Sequence, residues 1–355
     1  MKKSLVALAV LSGVAGTAAA QSSVTVFGVL DVNVRYNKAG GQTLWSEATD
    51  GNASSRLGFR GVEDLGGGMK ASFWLEAALS PDGGIAGNTT ASPLKTFDRR
   101  ATVSLSGDFG EIRLGRSKTG ERTILDDFDP FGTIGVGNVI NVYSPTAVGG
   151  ASTTLGSGMN PNTTWNRSDN QVAYILPGNL GGFYGQIDVA PSEGYATTNN
   201  KYYGGRFGYK QGALHVTAGL SSNYGLLGKY KMGTIAGSYD FGVVNAEAFW
   251  TQTSYLGRKQ SIITLAALVP VGQGQFKVAY TMSNANNTAE AAKIVYDANL
   301  LAAGYVYNLS KRSALYGTVA RIENKGAGKF GVNGSPAVTA GGDSTGFEVG
   351  VRHSF

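Results

Sequence analysis

The ten residues Gly346-Phe347-Glu348-Val349-Gly350-Val351-Arg352-His353-Ser354-Phe355 decide the fold. Phe347, Val349, Val351, His353 and Phe355 fall on one side of an extended chain. Gly346, Glu348, Gly350, Arg352 and Ser354 fall on the other. Period two over this length is a strand with one apolar and one polar face. The sequence stops on an aromatic of the apolar face, for which a water-soluble sheet has no physical need. A partner stands at the other end of the chain. Val24, Val26, Gly28, Leu30, Val32, Val34 and Tyr36 oppose Thr25, Asp31, Asn33 and Arg35, with Phe27 and Val29 as exceptions. Pairing these two segments would close a sheet into a ring.

The same rhythm fills the sequence between them. Alternating segments at 54–63 and 69–79, 97–106 and 111–117, 167–176 and 182–190, 201–210 and 213–222, 229–239 and 243–254, 260–269 and 274–283, and 298–308 and 313–322 are joined within each pair by a short Gly-rich or polar turn. Seven short turns join fourteen strands, and the first and last bring the total to sixteen. Short turns at one end, longer polar connections at the other and an even strand number describe an outer-membrane barrel. Strands of roughly ten residues suffice to cross a hydrocarbon core of about 30 Å when tilted. In lipid every backbone polar group must be paired within the protein, so the sheet has to close. Aromatics recur near strand ends (Tyr36, Phe59, Phe73, Phe97, Tyr174, Phe183, Tyr202, Tyr203, Tyr209, Tyr239, Trp250, Tyr280, Tyr307, Phe347, Phe355), as an interfacial girdle requires. The expected fold is all-β, a 16-stranded antiparallel transmembrane β-barrel.

Composition agrees. Gly accounts for 53 of 355 residues, about twice the ordinary share, which disfavours an α-rich fold. There is no Cys, so disulfides and Cys-ligated metals are excluded. Lys2-Lys3, an apolar run from Leu5 to Val14 and Ala18-Ala19-Ala20 form a secretory signal peptide over 1–20, leaving a barrel domain over 21–355. Beyond Gln21 no run approaches the roughly 18 apolar residues of a membrane helix. The formal charge of +6 is dispersed, without the basic–aromatic clustering that marks a nucleic-acid partner. The expected location is the outer membrane of a Gram-negative bacterium.

One stretch breaks the rhythm. From Lys118 to Asn166 no alternation is sustained, and a loop of this length within a compact domain is usually functional. We read 118–166 as a constriction loop, the third external loop, folded into the lumen. Its first part carries Glu121, Asp126, Asp127 and Asp129.

Val24-Thr25-Val26-Phe27-Gly28, Ser55-Arg56-Leu57-Gly58-Phe59-Arg60-Gly61-Val62-Glu63-Asp64-Leu65-Gly66-Gly67-Gly68, Gly107-Asp108-Phe109-Gly110-Glu111-Ile112-Arg113-Leu114-Gly115-Arg116 and Gly350-Val351-Arg352-His353-Ser354-Phe355 together resemble the general diffusion porins of β-proteobacteria. The resemblance spans the mature chain. It implies a homotrimer of sixteen-stranded barrels, an inward-folded third loop and a terminal Phe355 read by the barrel-assembly machinery. It also implies anion selectivity from a basic wall to which Arg56, the Arg99-Arg100 pair and Arg167 correspond, with Glu76 as a wall carboxylate. Phe128-Asp129-Pro130-Phe131-Gly132 resembles the family's loop tip with a different acidic order. Alternation places Arg56, Arg60, Arg100 and Arg167 inward and puts Arg99, in phase with Val103 and Leu105, nearer a rim. The expected constriction is therefore a basic wall of Arg56, Arg60, Arg99, Arg100 and Arg167 facing an acidic side of Glu76, Asp126, Asp127 and Asp129.

Positive charge in a narrow wet pore favours anions over cations, so the expected function is passive diffusion of ions and small hydrophilic, mainly anionic, solutes. Outer-membrane lipid and lipopolysaccharide are the expected surroundings. An enzyme is disfavoured: His215 and His353 have no partner at metal or catalytic spacing. Gly132, Gly135 and Gly137 lack the nucleotide-loop spacing, and Asp126-Asp127-Asp129 lacks the rest of a calcium loop. No metal or cofactor is expected. Two rivals stand: a barrel acting as an adhesin or structural anchor, and a substrate-specific channel.

Overall fold

Alternation between lipid and water faces dictates strands, and strands form. The computed structural model describes residues 23–88, 94–143, 165–192, 201–224, 229–255, 258–286 and 295–355; the segment 1–20 read as a signal peptide lies outside them. The strands are β1 (Ser23–Ala39), β2 (Gln42–Thr49), β3 (Arg56–Gly66), β4 (Met69–Ser80), a short β5 (Ile85–Ala86), β6 (Arg100–Gly107), β7 (Gly110–Lys118), β8 (Arg167–Ile175), β9 (Phe183–Ala190) and β10 (Tyr202–Gln211). They continue with β11 (Leu214–Tyr224), β12 (Lys229–Asp240), β13 (Asn245–Tyr255), β14 (Arg258–Val271), β15 (Gly274–Asn286), β16 (Ala298–Asn308), β17 (Ser313–Asn324) and β18 (Ser344–Ser354). Each pairs antiparallel with its neighbours, and β1 pairs with both β3 and β18. Leaving aside β2 and β5, sixteen strands form a closed antiparallel barrel.

The seam runs from Val29 opposite Ser354 to Ala39 opposite Ser344. Gly28 and Phe355 then exchange backbone hydrogen bonds of 3.0 and 3.1 Å. Glycine is needed at Gly28: a Cβ there would stand 2.8 Å from the Arg56 carbonyl oxygen of β3 as well as 2.2 Å from the Phe355 ring. Along β1, Leu30 and Val34 are exposed while Asp31, Asn33, Arg35 and Asn37 are buried. Apolar residues at 40–75% exposure recur around the outer wall, among them Val34, Val103, Ile187, Leu220 and Ile235. Such a surface is stable only against lipid. Tyr202 is an exception to the girdle reading. It is fully buried on the inward face, while Tyr203 points out.

The second wall strand is broken. The stretch between the first two sequence-read strands is not a loop: Gly40 and Gly41, both at positive φ, turn β1 directly into β2. At the break before β3, the buried Asp31 carboxylate accepts from the Gly51, Asn52 and Ala53 amides at 3.1, 3.0 and 2.7 Å and from the Tyr316 hydroxyl at 2.5 Å. An acid in the barrel wall thus substitutes for missing ladder hydrogen bonds.

The long connection after β7 begins with helix α1 (Gly120–Phe128). Thr119 caps it, its side-chain oxygen accepting from the Arg122 amide at 3.2 Å. Ile124, Leu125 and Phe128 are spaced to share one face and are at most 1% exposed, packed with Met232, Ala236, Phe249 and Ile262 of the inward wall. Burying these three contributes roughly 5–9 kcal/mol gross, an upper bound before ordering entropy. Further along, Phe131, Val136 and Val142 pack with Leu300, Ala302, Ala320 and Ile322. Across its described residues the segment therefore lies on the inward faces of β9 to β18, the Val136 amide donating to Glu348 of β18 at 3.0 Å. Among the described residues its apolar side chains do not pack on β3, β4, β6 or β7, where Arg60 is exposed and Arg56, Arg100 and Arg113 are partly so.

Candidate functional site

That uncovered wall carries the charge. A cavity of about 460 Å³ is lined by Arg56, Arg60, Arg99, Arg100, Arg113, Lys118 and Arg167, by Glu76, Phe27, Trp74, Ser117 and Gln186, and by Thr123 of α1 across from them. Register explains the gathering. Glu76 stands opposite Gly58 on one side and Arg100 on the other, and Arg60 stands opposite Trp74. Arg167 opens β8 opposite Lys118, the last residue of β7.

Hydrogen bonds fix the cations. The Arg99 Nε lies 2.6 Å from Glu76 Oε1, and the Trp74 Nε1 donates to Glu76 Oε2 at 3.1 Å. Arg167 donates to the Arg99 carbonyl at 3.0 Å, Arg56 to the Ser54 carbonyl at 3.3 Å, and Arg100 to the Thr102 hydroxyl at 3.0 Å. The Trp74 ring lies under two guanidiniums, Arg100 at 4.4 Å and Arg60 at 5.2 Å. Arg113 pairs with Glu111 at 2.8 Å, and Lys118 pairs with Asp126. Among the described residues Arg56, Arg60, Arg100 and Arg167 have no carboxylate within ion-pair distance. Four guanidiniums without an ion-pair partner among the described residues thus line one cavity, with Glu76 the carboxylate in its lining.

The loop acids sit differently from one another. Asp126 is held by Lys118 and by Arg122 at 3.1 Å. Burial pushes its carboxyl up, but Arg122, Lys118 and the Thr133 hydroxyl outweigh that and hold it down at about 2. Asp127 pairs with Arg206 of β10 at 2.6 Å, away from the basic cavity. Asp129 turns back into its own loop and accepts from the Phe131, Thr133 and Val139 amides, each at 3.0 Å. Burial nonetheless raises it to about 6. Glu121 is fully buried beside Gly219 and Ile124, where burial raises its carboxyl to about 8. Of the four acids named as a facing side, only Glu76 lines the cavity; Asp126 holds Lys118 of its lining, and Asp127 and Asp129 are engaged elsewhere.

Barrel, inward loop segment and basic passage are the architecture of a diffusion channel, and comparison with known proteins identifies it. Residues 7–327 match the family model described as Gram-negative porin. The chain is a Gram-negative porin. Outer membrane porin protein 32 of Delftia acidovorans is 38% identical to it over 375 aligned positions covering all of both chains. An outer membrane porin protein of Bordetella pertussis is 26% identical over the whole of both. Among solved structures, the anion-selective porin from Comamonas acidovorans superposes with a TM-score of 0.80 at 36% identity, covering 94% of this chain and all of that one. OmpT of Vibrio cholerae, described in a trimer form, shares the fold at a TM-score of 0.64 and 16% identity, with 94% and 99% covered. The porin resides in the Gram-negative outer membrane and forms a water-filled channel there.

Arg99 departs from the sequence reading. Strand β6 begins at Arg100, so strand parity does not reach Arg99, and both neighbours line the same cavity. Arg113, Arg116 and Lys118 of the porin were missed. Arg113 opposes the exposed Ile112 and Leu114 and was legible by parity. Arg116, which bonds Asp169 at 2.7 Å, was not: β7 shifts register between Gly115 and Ser117, with Gly115 at φ 113°.

Proposed function

We propose that the porin is an anion-selective passive diffusion channel. Its constriction lies between the basic wall of Arg56, Arg60, Arg99, Arg100 and Arg167 and the loop 118–166. The observation that carries this reading is the set of four guanidiniums lacking a carboxylate partner among the described residues. In a narrow passage with low-dielectric walls, uncompensated positive charge lowers the entry barrier for anions and raises it for cations. Glu76 is placed to hold Arg99 and orient Trp74 rather than to oppose the wall. The porin catalyses no reaction and takes small hydrophilic solutes in either direction. The name of the Comamonas relative supports the selectivity. Segment 1–20 serves as an export signal, Phe355 as the feature read by the barrel-assembly machinery, and lipopolysaccharide as a surrounding partner. Homotrimerisation fits the trimer form of the OmpT neighbour.

Reversal potentials in planar bilayers under a salt gradient test the proposal. Two charges about 5 Å from a passing ion in water contribute together about 1 kcal/mol after screening. The double variant Arg56→Gln/Arg100→Gln raises the anion barrier and lowers the cation barrier by that amount each, about 2 kcal/mol in all, and is therefore expected to lower the anion-to-cation permeability ratio roughly 30-fold, most visibly at low salt. An unchanged ratio refutes the basic-wall constriction. Folded barrels without conductance would favour the anchor reading, and flux that saturates with one solute the substrate-specific one.

A further inference from the structure

A second set of cations lies outside the barrel. At the loop end of β10–β12, the Lys201 ammonium stands 5.1 Å from the Tyr203 ring and 5.8 Å from the Tyr224 ring, and Lys229 stands 4.9 Å from Tyr224. Register extends the cluster sideways. Tyr203 pairs with Ser222, Ser222 with Lys231, Lys231 with Ser254 and Ser254 with Lys259, a single row across five strands. The side chains point outward: Lys229, Lys231 and Lys259 are exposed, and their neighbours Tyr230, Met232 and Gln260 are buried inside. Among the described residues none of the four lysines forms an ion pair with a carboxylate.

Directly beneath the row the outer wall is hollow. A groove of about 570 Å³ runs from Lys231 past Leu220 and Gly233 to Trp250. It continues, through the shared Ile235 and Trp250, into an almost wholly apolar groove of about 810 Å³ that reaches Phe207 and Val216. The hollow exists because Gly233 and Gly237 face outward without side chains. An apolar groove that leads away from the lysine row fits a hydrocarbon chain. Ammonium groups and tyrosines at its loop end fit a phosphate at headgroup height. In an outer-membrane barrel the long-loop end faces the cell exterior, so the lipid concerned belongs to the outer leaflet.

We propose that this face is a binding site for one phosphorylated lipid of the outer leaflet, its phosphate on Lys201, Lys229, Lys231 and Lys259 and an acyl chain in the groove over Gly233. The site rests on the reading that lipopolysaccharide surrounds the porin, but it is independent of the pore. Native mass spectrometry of the full-length porin with bis-phosphorylated lipid A tests it, using the combined variant Lys201→Gln/Lys229→Gln/Lys231→Gln/Lys259→Gln and, separately, Gly233→Leu. A Cβ at position 233 would stand 3.0 Å from the end of Leu220, so a leucine there fills the groove while displacing only a flexible side-chain tip. Each lysine near an anionic lipid surface contributes about fivefold in affinity. With four lysines removed the combined variant is thus expected to bind lipid A several hundredfold more weakly, and Gly233→Leu to retain less with all charges in place. Dephosphorylated lipid and free inorganic phosphate are expected not to compete. Anion preference in bilayers stays at the wild-type value in both variants, which confirms folding and separates this site from the channel reading. Equal lipid retention by wild type and both variants overturns the proposal. So does displacement of lipid A by inorganic phosphate alone, or loss of a protein oligomer in the combined variant, which would assign the face to a second copy of the chain.

Discussion

Replacing Glu121 by glutamine should remove a pH dependence from the loop that lies on the inner wall. Glu121 sits in the first turn of α1, fully buried, with no cation paired to it among the described residues. Its carboxyl rises from 4.5 to about 8 because burial disfavours the charged form. The folded state therefore holds a proton that the unfolded chain releases, and stability is greatest below 4.5 and falls as pH rises towards 8. At about 1.4 kcal/mol per unit the whole window amounts to at most about 5 kcal/mol. Asp129, raised from 3.8 to about 6, acts with the same sign, but its window closes near pH 6. Between pH 6.5 and 8 Glu121 should still lower loop stability by about 2 kcal/mol. The assay is limited proteolysis within 119–143 of the reconstituted porin, as a function of pH. Wild type should become more cleavable from pH 6.5 to 8, whereas Glu121→Gln should be more resistant and show a clearly shallower slope. Equal slopes in the two proteins would show that the carboxyl is ionised in its seat and would refute the reasoning.

Two further outcomes are expected. Asp129→Asn replaces an acceptor of three amides by a group with one acceptor oxygen and should loosen the loop by ~1–3 kcal/mol; amide hydrogen exchange at Phe131, Thr133 and Val139 reads it directly. Arg35→Ala strands the buried Glu348, whose partner now lies at 2.8 Å, and should cost about 3–5 kcal/mol. Arg35→Ala/Glu348→Gln should recover much of that in heat-denaturation rate, and failure of the double variant to recover would deny that the orphaned charge is the cause.

The strands were legible because lipid on one side and water on the other impose strict alternation: Leu30 and Val34 against Asp31, Asn33 and Arg35 leave no other register. The positions of Arg56, Arg100 and Arg167 on the wall followed from the same parity. What parity does not govern stayed hidden. Arg99 lies one residue before its strand, and Arg116 lies beside a bulge. Helix α1 announces itself only by Thr119 and by Ile124, Leu125 and Phe128, too short a pattern to stand out from a polar loop. The destinations of Asp127 and Asp129 depend on Arg206 and on local amides that only the folded loop brings near.

The seam between β1 and β18 sets a condition on how the molecule comes into being. Its contacts join residues 29–39 to 344–354, so almost the whole chain must be synthesised before they can form. Until then both rims of the curved sheet expose unpaired amides and carbonyls, which would pair with any other extended chain they met. Contacts so distant in sequence are also slow to find. A nascent porin is thus at its most vulnerable just before it is complete, and whatever receives it outside the cytoplasm must shield two open rims for as long as ring closure takes.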